Sequence, residues 1–90
     1  MKVSLIRFYP FEVSDYGTRL VGYAEVEVNK MMVIRGIRLF RSRFGGLFIK
    51  MPLLSQKSEI EAIELKDKEL MQEVRRVIVD YYKKELVSYE

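Results

Sequence analysis

The carboxylates are the first candidates for chemistry, because the 90-residue chain contains no histidine and no cysteine. The commonest general base, the commonest metal ligand and any thiolate metal site are therefore excluded. Glu25 and Glu27 share one face of a predicted strand, a common arrangement on exposed strands. Glu59, Glu61 and Glu64 could hold a divalent cation through oxygen ligands, but a solvated acidic loop explains them better. We expect no enzymatic activity, no metal, no cofactor and no small-molecule substrate.

The basic residues are the second candidates, because they are concentrated in one part of the chain. The formal net charge is only +3, yet no acidic residue lies between Glu27 and Glu59. A block of this kind favours a polyanionic partner, and the alternative is an ordinary solvated edge. Seven basic residues occupy this interval: Lys30, Arg35, Arg38, Arg41, Arg43, Lys50 and Lys57.

The elements that must position these residues follow from the hydrophobic pattern. Alternating and β-branched segments separated by turn residues predict four strands, and Asn29-Lys30 is a suitable two-residue hairpin turn. Residues 60–65 are either a short fifth strand or the approach to a helix. From Asp67 the apolar spacing changes to three and four, which predicts a long helix with Asp67 as N-cap. The predicted bounds are strands at 2–10, 19–28, 31–42, 46–51 and, as the open alternative, 60–65, with the helix at 67–86.

This order of elements predicts a single α+β domain spanning residues 1–90, with an antiparallel sheet followed by one C-terminal helix. A chain of this length buries a modest core, and one helix covers only one face of a sheet. If both faces carry apolar residues, another surface must cover the second face. We therefore expect a homodimer.

The segment "RGIRLFRSRFGGLFIKMP" (35–52) contains most of the basic block. Strict alternation fails along its first strand, and a one-residue bulge at Arg35-Gly36 restores it. Met32, Ile34, Ile37 and Leu39 then point inward, and so do Leu47, Ile49 and Met51 on the partner strand. The outward face combines Arg35, Arg38 and Lys50 with Phe40 and Phe48, while Arg41 and Arg43 lie at the turn.

Cations and aromatic rings on one sheet face suit single-stranded nucleic acid, because bases stack on rings and phosphates meet cations. Arginine and aromatic residues are also enriched at subunit interfaces. We assign Phe40 and Phe48 to the dimer interface. We assign Arg41, Arg43 and Lys50 to phosphate contacts, with Arg35 and Arg38 on the same surface.

Three segments resemble the bacterial stage V sporulation protein G (SpoVG) family. They are "IRF" at 6–8, "MVIRGIRL" at 32–39 and "GLFIKMP" at 46–52, and the last is the most specific. Order and spacing agree over residues 1–52, apart from about one extra residue before Gly46, and a C-terminal helix follows. The resemblance implies a small α+β homodimer that binds DNA and RNA as a regulator of septation and sporulation.

The chain also departs from the SpoVG pattern. The basic pair that follows Met-Pro in the family is missing after Met51-Pro52, and Lys57 is the nearest substitute. Arg41 stands at a strand position that is acidic or neutral in the family. We therefore expect the basic surface to have moved onto the hairpin at 35–43.

The helix carries a second basic pair, Arg75-Arg76, which we expect to face solvent. Exposed cations on a helix can follow phosphates, but local pairs at four-residue spacing explain them better. We keep both residues, with Lys57, as secondary contacts. The alternative function is a cell-division regulator that acts through protein–protein interaction without binding nucleic acid.

No apolar run approaches the ~20 residues of a membrane span, and the first residues do not resemble a signal peptide. We therefore expect a cytoplasmic protein that does not insert into a membrane.

Overall fold

The computed structural model describes residues 2–15 and 18–87, and it confirms the α+β prediction. Four antiparallel strands form one sheet in the order of the sequence, β1-β2-β3-β4, and one long helix follows them. The elements are β1 (Val3–Asp15), β2 (Thr18–Val28), β3 (Met32–Arg41), β4 (Leu47–Lys50) and α1 (Lys68–Tyr82), which continues into a π-helical turn, Lys83–Val87.

Two predicted segments differ from the observed elements: one strand is longer, and one segment is not a strand. Strand β1 continues past Pro10 to Asp15, because β1 is an edge strand and a proline there removes no hydrogen bond from the sheet interior. Residues 60–65 do not form a fifth strand. Their one pairing is an isolated antiparallel bridge between Leu53 and Glu61, so this segment folds back as a loop before the helix.

The predicted bulge and turn are both present in the hairpin from β2 to β3. Ala24 pairs with Ile37 and Val26 pairs with Ile34, so two residues, Arg35 and Gly36, lie opposite one. Gly36 has a φ of 82°, a left-handed conformation that glycine adopts without strain. At the turn, Asn29 and Lys30 have φ values of 53° and 57°, as the two central residues of a type I′ turn require.

The core lies between one face of the sheet and α1. Val74, Ile78 and Val79 of the helix are buried against inward-facing residues of the strands, among them Ile34, Ile37, Leu39, Ile49 and Met51. Asp67 is the N-cap, and its carboxylate accepts hydrogen bonds from the backbone N–H groups of Glu69 and Leu70. The predicted helix start is confirmed, and this helix covers only one side of the sheet.

Met32 is a correction to the predicted core. Alternation places it on the inward side with Ile34, but its side chain is 44% exposed. It lies at the end of the sheet beside the turn, next to Leu70 in the first turn of α1. The side chain therefore points toward the helix side without being covered.

In the described part of the chain, no helix is long and apolar enough to cross a membrane.

Candidate nucleic-acid interface

The hairpin of β3 and β4 presents two cross-strand pairs on the sheet face that α1 does not cover. Arg38 lies opposite Lys50, and Phe40 lies opposite Phe48. The bulge at Gly36 sets this arrangement, because it returns Ile37 and Leu39 to the core and turns Arg38 and Phe40 outward. We call these four side chains, Arg38, Phe40, Phe48 and Lys50, the hairpin face.

The two rings of the hairpin face are stacked. Their centroids are 5.3 Å apart and their planes differ by 12°. The guanidinium carbon of Arg38 lies 5.6 Å from the centroid of Phe40, and Nζ of Lys50 lies 5.7 Å from the same centroid. Both distances suit cation–π contact. Each ring is half-buried, so the hairpin face combines partly exposed apolar surface with two cations beside it.

The two cations of the hairpin face are held differently. Arg38 is half-buried, and its Nη2 donates a 2.7 Å hydrogen bond to the backbone carbonyl of Met51. Its Nε is buried without a partner. Lys50 is exposed, and no hydrogen bond or salt bridge from its ammonium group is found among the described residues. Arg38 is therefore fixed in place, whereas the ammonium of Lys50 can move to meet a ligand.

The turn between β3 and β4 places a further cation and ring at the end of the hairpin. Ser42 closes this turn: its N–H donates to the carbonyl of Gly46, and its Oγ accepts from the N–H of Gly46 at 3.0 Å. Phe44 is 89% exposed, and the guanidinium carbon of Arg43 lies 5.4 Å from its ring centroid. We call Arg43 and Phe44 the hairpin tip.

Phe44 is not among the site residues predicted above, although its sequence context indicates an exposed ring. A phenylalanine between an arginine and two glycines in a hairpin turn has no neighbouring strand against which it can be buried. The ring therefore stays on the surface, where it can contact a partner.

Arg41 is a correction to the predicted set of phosphate contacts at the turn. Its Nη2 donates a 2.9 Å hydrogen bond to the hydroxyl of Tyr82, and its guanidinium carbon lies 5.6 Å from the centroid of that ring. Arg41 still pairs with Leu47 within the sheet, so alternation sends it to the helix side, opposite to Phe40. It ties β3 to the end of α1 and does not join the hairpin face.

Arg75 is also a correction, because it does not face solvent. Its Nη2 donates a 2.9 Å hydrogen bond to the backbone carbonyl of Leu47, and the side chain is half-buried. It satisfies an acceptor at the start of β4 and fixes α1 to the edge of the sheet.

Arg76 is exposed, but acidic residues of its own helix surround it. It donates to both carboxylate oxygens of Glu73, at 2.9 and 2.8 Å, and lies 3.4 Å from the carboxylate of Asp80. The hydrogen bonds from Arg76 lower the pKa of Glu73 from its usual value. The alternative of local helix pairing therefore describes Arg76 better than phosphate contact.

The remaining two predicted cations lie at the margins of the hairpin face. Arg35 lies in the bulge, where its Nε is 3.8 Å from the carboxylate of Glu25, and its side chain is 71% exposed. Lys57 is exposed in the loop after Pro52. Arg35 is thus partly neutralised, and Lys57 is available to a partner that reaches the loop.

Carboxylates approach the hairpin face on one side. A groove of about 400 Å³ is lined by Arg38 and Lys50 together with Leu53, Ser58, Glu59 and Glu61. The carboxylate of Glu61 accepts a hydrogen bond from the backbone N–H of Met51. The described residues contain no group of three or more acidic side chains that could hold a metal ion. Glu59 and Glu61 therefore lie beside the two cations of the hairpin face, on the side of the loop that follows Pro52. The hairpin tip is not part of this groove.

Two tyrosines extend the same sheet face toward β1. Tyr9 pairs with Tyr23, and Tyr23 pairs with Arg38, so the row crosses the sheet. The hydroxyl of Tyr9 donates to the carboxylate of Glu25 at 3.1 Å and accepts from Arg7, which raises the pKa of Arg7. Glu25 therefore places a negative charge on the β1–β2 side of this sheet face, whereas Arg38 and Lys50 lie on its β3–β4 side.

Comparison of the chain with protein-family models, with curated proteins and with solved structures gives no match. The resemblance to the SpoVG family therefore stays a prediction.

Proposed function

We propose that the protein is a small homodimeric regulator that binds DNA or RNA in the cytoplasm, as a relative of the SpoVG family would. The observation that carries the proposal is the hairpin face, in which two cross-strand cations lie directly beside two stacked rings. The hairpin tip adds a third cation and an exposed ring. The proposal includes no catalytic step and no cofactor.

The chemistry of the hairpin suits a nucleic acid in two ways. Phosphates attract the cations and release condensed counterions when they bind, which provides affinity without sequence preference. Bases can stack on exposed or half-exposed rings, and a surface that carries only charged side chains offers no such contact. Control of septation or sporulation is part of the proposal only through the resemblance to the SpoVG family.

The homodimer rests on the uncovered sheet face. Phe40 and Phe48 are half-buried in one chain, and no helix or strand of the described residues covers them. Association of two chains through apolar surface would remove this area from water. Light scattering at micromolar concentration tests it: we expect twice the chain mass, and a monomer would contradict the dimer.

The binding test is a titration of single-stranded and duplex oligonucleotides of both DNA and RNA at two salt concentrations. We expect binding that weakens steeply with salt, with a log–log slope of about −0.7 for each phosphate contact on a single strand. Failure to bind any of the four oligonucleotides at low salt would refute the proposal, and so would binding that ignores salt.

The second candidate is a cell-division regulator that binds another protein. Its support is the mixture of charges at the groove, where Glu59 and Glu61 lie with Arg38 and Lys50, because interface rims commonly combine both signs. Purified protein free of nucleic acid by ultraviolet absorbance, together with no retardation of any oligonucleotide, would favour this function over nucleic-acid binding.

A further inference from the structure

We infer that the hairpin tip is a base-stacking subsite for single-stranded nucleic acid, in which the ring of Phe44 stacks on an unpaired base and Arg43 contacts the neighbouring phosphate. The inference rests on the proposed function and adds the form of the polymer, the residue that selects it and the path of the strand along the hairpin.

Phe44 combines exposure with a fixed support. Its side chain is almost fully exposed, although the turn that carries it is closed by three hydrogen bonds between Ser42, Gly45 and Gly46, from 2.8 to 3.0 Å. Gly45 has a φ of 89°, which a glycine tolerates and other residues rarely adopt. A rigid turn presents the ring to a ligand at a small entropic cost, because the backbone is already ordered.

The charge around Phe44 selects the kind of ligand. Arg43 lies beside the ring, and the nearest acidic residues in sequence are Glu27 and Glu59, both outside the hairpin. An apolar partner alone would leave Arg43 without a counterion. A polymer that alternates flat rings with phosphates satisfies the ring and the cations together.

The geometry of the hairpin gives the strand a path. On one side of an extended hairpin, successive outward residues are about 6.8 Å apart, which is two residues at ~3.4 Å each. Along this line the hairpin presents the cation pair Arg38 and Lys50, then the ring pair Phe40 and Phe48, then the hairpin tip. From the groove toward the turn, the hairpin therefore presents two cations, then two rings, then one cation beside one ring. This order matches the alternation of phosphates and bases along a nucleotide chain.

A duplex cannot use the hairpin tip in the same way. Its bases are paired and stacked on one another, so their faces are not available to Phe44 without unstacking the helix, which costs a few kcal/mol for each base step. On a duplex the hairpin can therefore use its cations but not its rings. We expect single strands to bind more tightly than duplexes of the same sequence at equal salt.

The decisive variant is Phe44→Ala, measured on a single strand and on the matching duplex. Loss of one stacked base should weaken single-strand binding about 5- to 140-fold and leave duplex binding nearly unchanged. Met31→Ala is the matched control, because Met31 is 86% exposed at the turn on the other end of β3. Both side chains are exposed, so neither change should unfold the domain.

A second variant reports stacking directly. The chain contains no tryptophan, so Phe44→Trp introduces a single indole at the tip. A base stacked on that indole should quench its fluorescence when a single strand is added, and the variant should retain wild-type affinity. Met31→Trp should show little change in emission.

The outcomes separate the inference from the proposed function. Wild-type binding that depends on salt, with equal affinities for Phe44→Ala and wild type on single strands, would overturn the subsite and keep the function. Equal losses on single strand and duplex would overturn it as well, because the tip would then act only through general contact. No binding by the wild-type protein to any oligonucleotide would refute both.

Discussion

Arg43 and Lys50 give the sharpest test of how the hairpin binds phosphate, because both are exposed and Arg38 beside them is tied to Met51. We consider the double variant Arg43→Gln with Lys50→Gln, which removes two charges and keeps two polar side chains of similar length. Surface substitutions of this kind usually change the free energy of unfolding by no more than about 0.5 kcal/mol. Any loss of binding by this variant is therefore caused by the missing charges at the interface and not by unfolding of the domain.

The magnitude follows from counterion release. Three phosphate contacts for each chain, at Arg38, Arg43 and Lys50, predict a log–log salt slope near −2.1 on a single strand, and one remaining contact predicts about −0.7. A fourfold rise in salt should then weaken wild-type binding about 18-fold but the double variant only about 2.6-fold. The assay is a fluorescence-anisotropy titration of a labelled single strand at four salt concentrations.

Arg76→Gln is the control for this slope. Arg76 is exposed and carries the same charge, but Glu73 and Asp80 already neutralise it on the helix. Removing the charge of Arg76 should leave the log–log salt slope of single-strand binding unchanged. A double variant with the wild-type slope, or an equal loss of slope in Arg76→Gln, would show that the hairpin does not hold the phosphates.

Three further changes test the fold and the groove. Gly22→Ala should lower the free energy of unfolding in urea by about 1–3 kcal/mol, because the new Cβ would overlap the Phe8 ring and lie 2.8 Å from the Tyr9 carbonyl; an unchanged midpoint would contradict this packing. Asp67→Ala should lower the free energy of unfolding in urea by about 1 kcal/mol through loss of the N-cap, and Asp67→Ser should restore most of this stability. Glu59→Gln should raise affinity for a single strand about two- to fivefold by removing a negative charge beside the cations, and weaker binding would argue that this carboxylate assists the ligand.

Most of the fold could be predicted because local pattern and global packing agree. The change of apolar spacing at Asp67 defines α1, and the failure of alternation beside Gly36 reveals the bulge. The error at Met32 has a different origin. Alternation states which side of a sheet a residue points to, but not whether the opposite layer covers it, and Met32 stays 44% exposed at the end of the sheet.

The cations of the candidate site were predicted less well, because arginine is long and its partner is chosen in three dimensions. Arg75 lies on a helix position that periodicity leaves outside the core, yet its guanidinium reaches the carbonyl of Leu47. Arg41 could have been placed correctly, because the predicted strand at 31–42 already contains it and alternation sends it to the side opposite Phe40.

The predicted roles of the hairpin face compete with one another. Phe40 and Phe48 were assigned to a dimer interface and Arg38 and Lys50 to nucleic acid, but both cations lie within 6 Å of the centroid of one ring. A partner chain that buried the rings would cover the cations as well, and a bound strand would cover the rings. If the two chains meet at this face, added single-stranded oligonucleotide should separate the dimer into monomers.

Light scattering with and without a saturating single strand therefore distinguishes two arrangements. Dissociation on binding places the dimer contact on the hairpin face. A dimer that keeps its mass and binds one strand per chain leaves this face free for nucleic acid, and the contact between chains must then lie elsewhere. The edge strand β1, with Ile6 and Phe11 about half exposed, offers apolar surface for it. Ile6→Lys should weaken self-association only in the second arrangement, because a charge on the edge of a sheet opposes pairing with another chain.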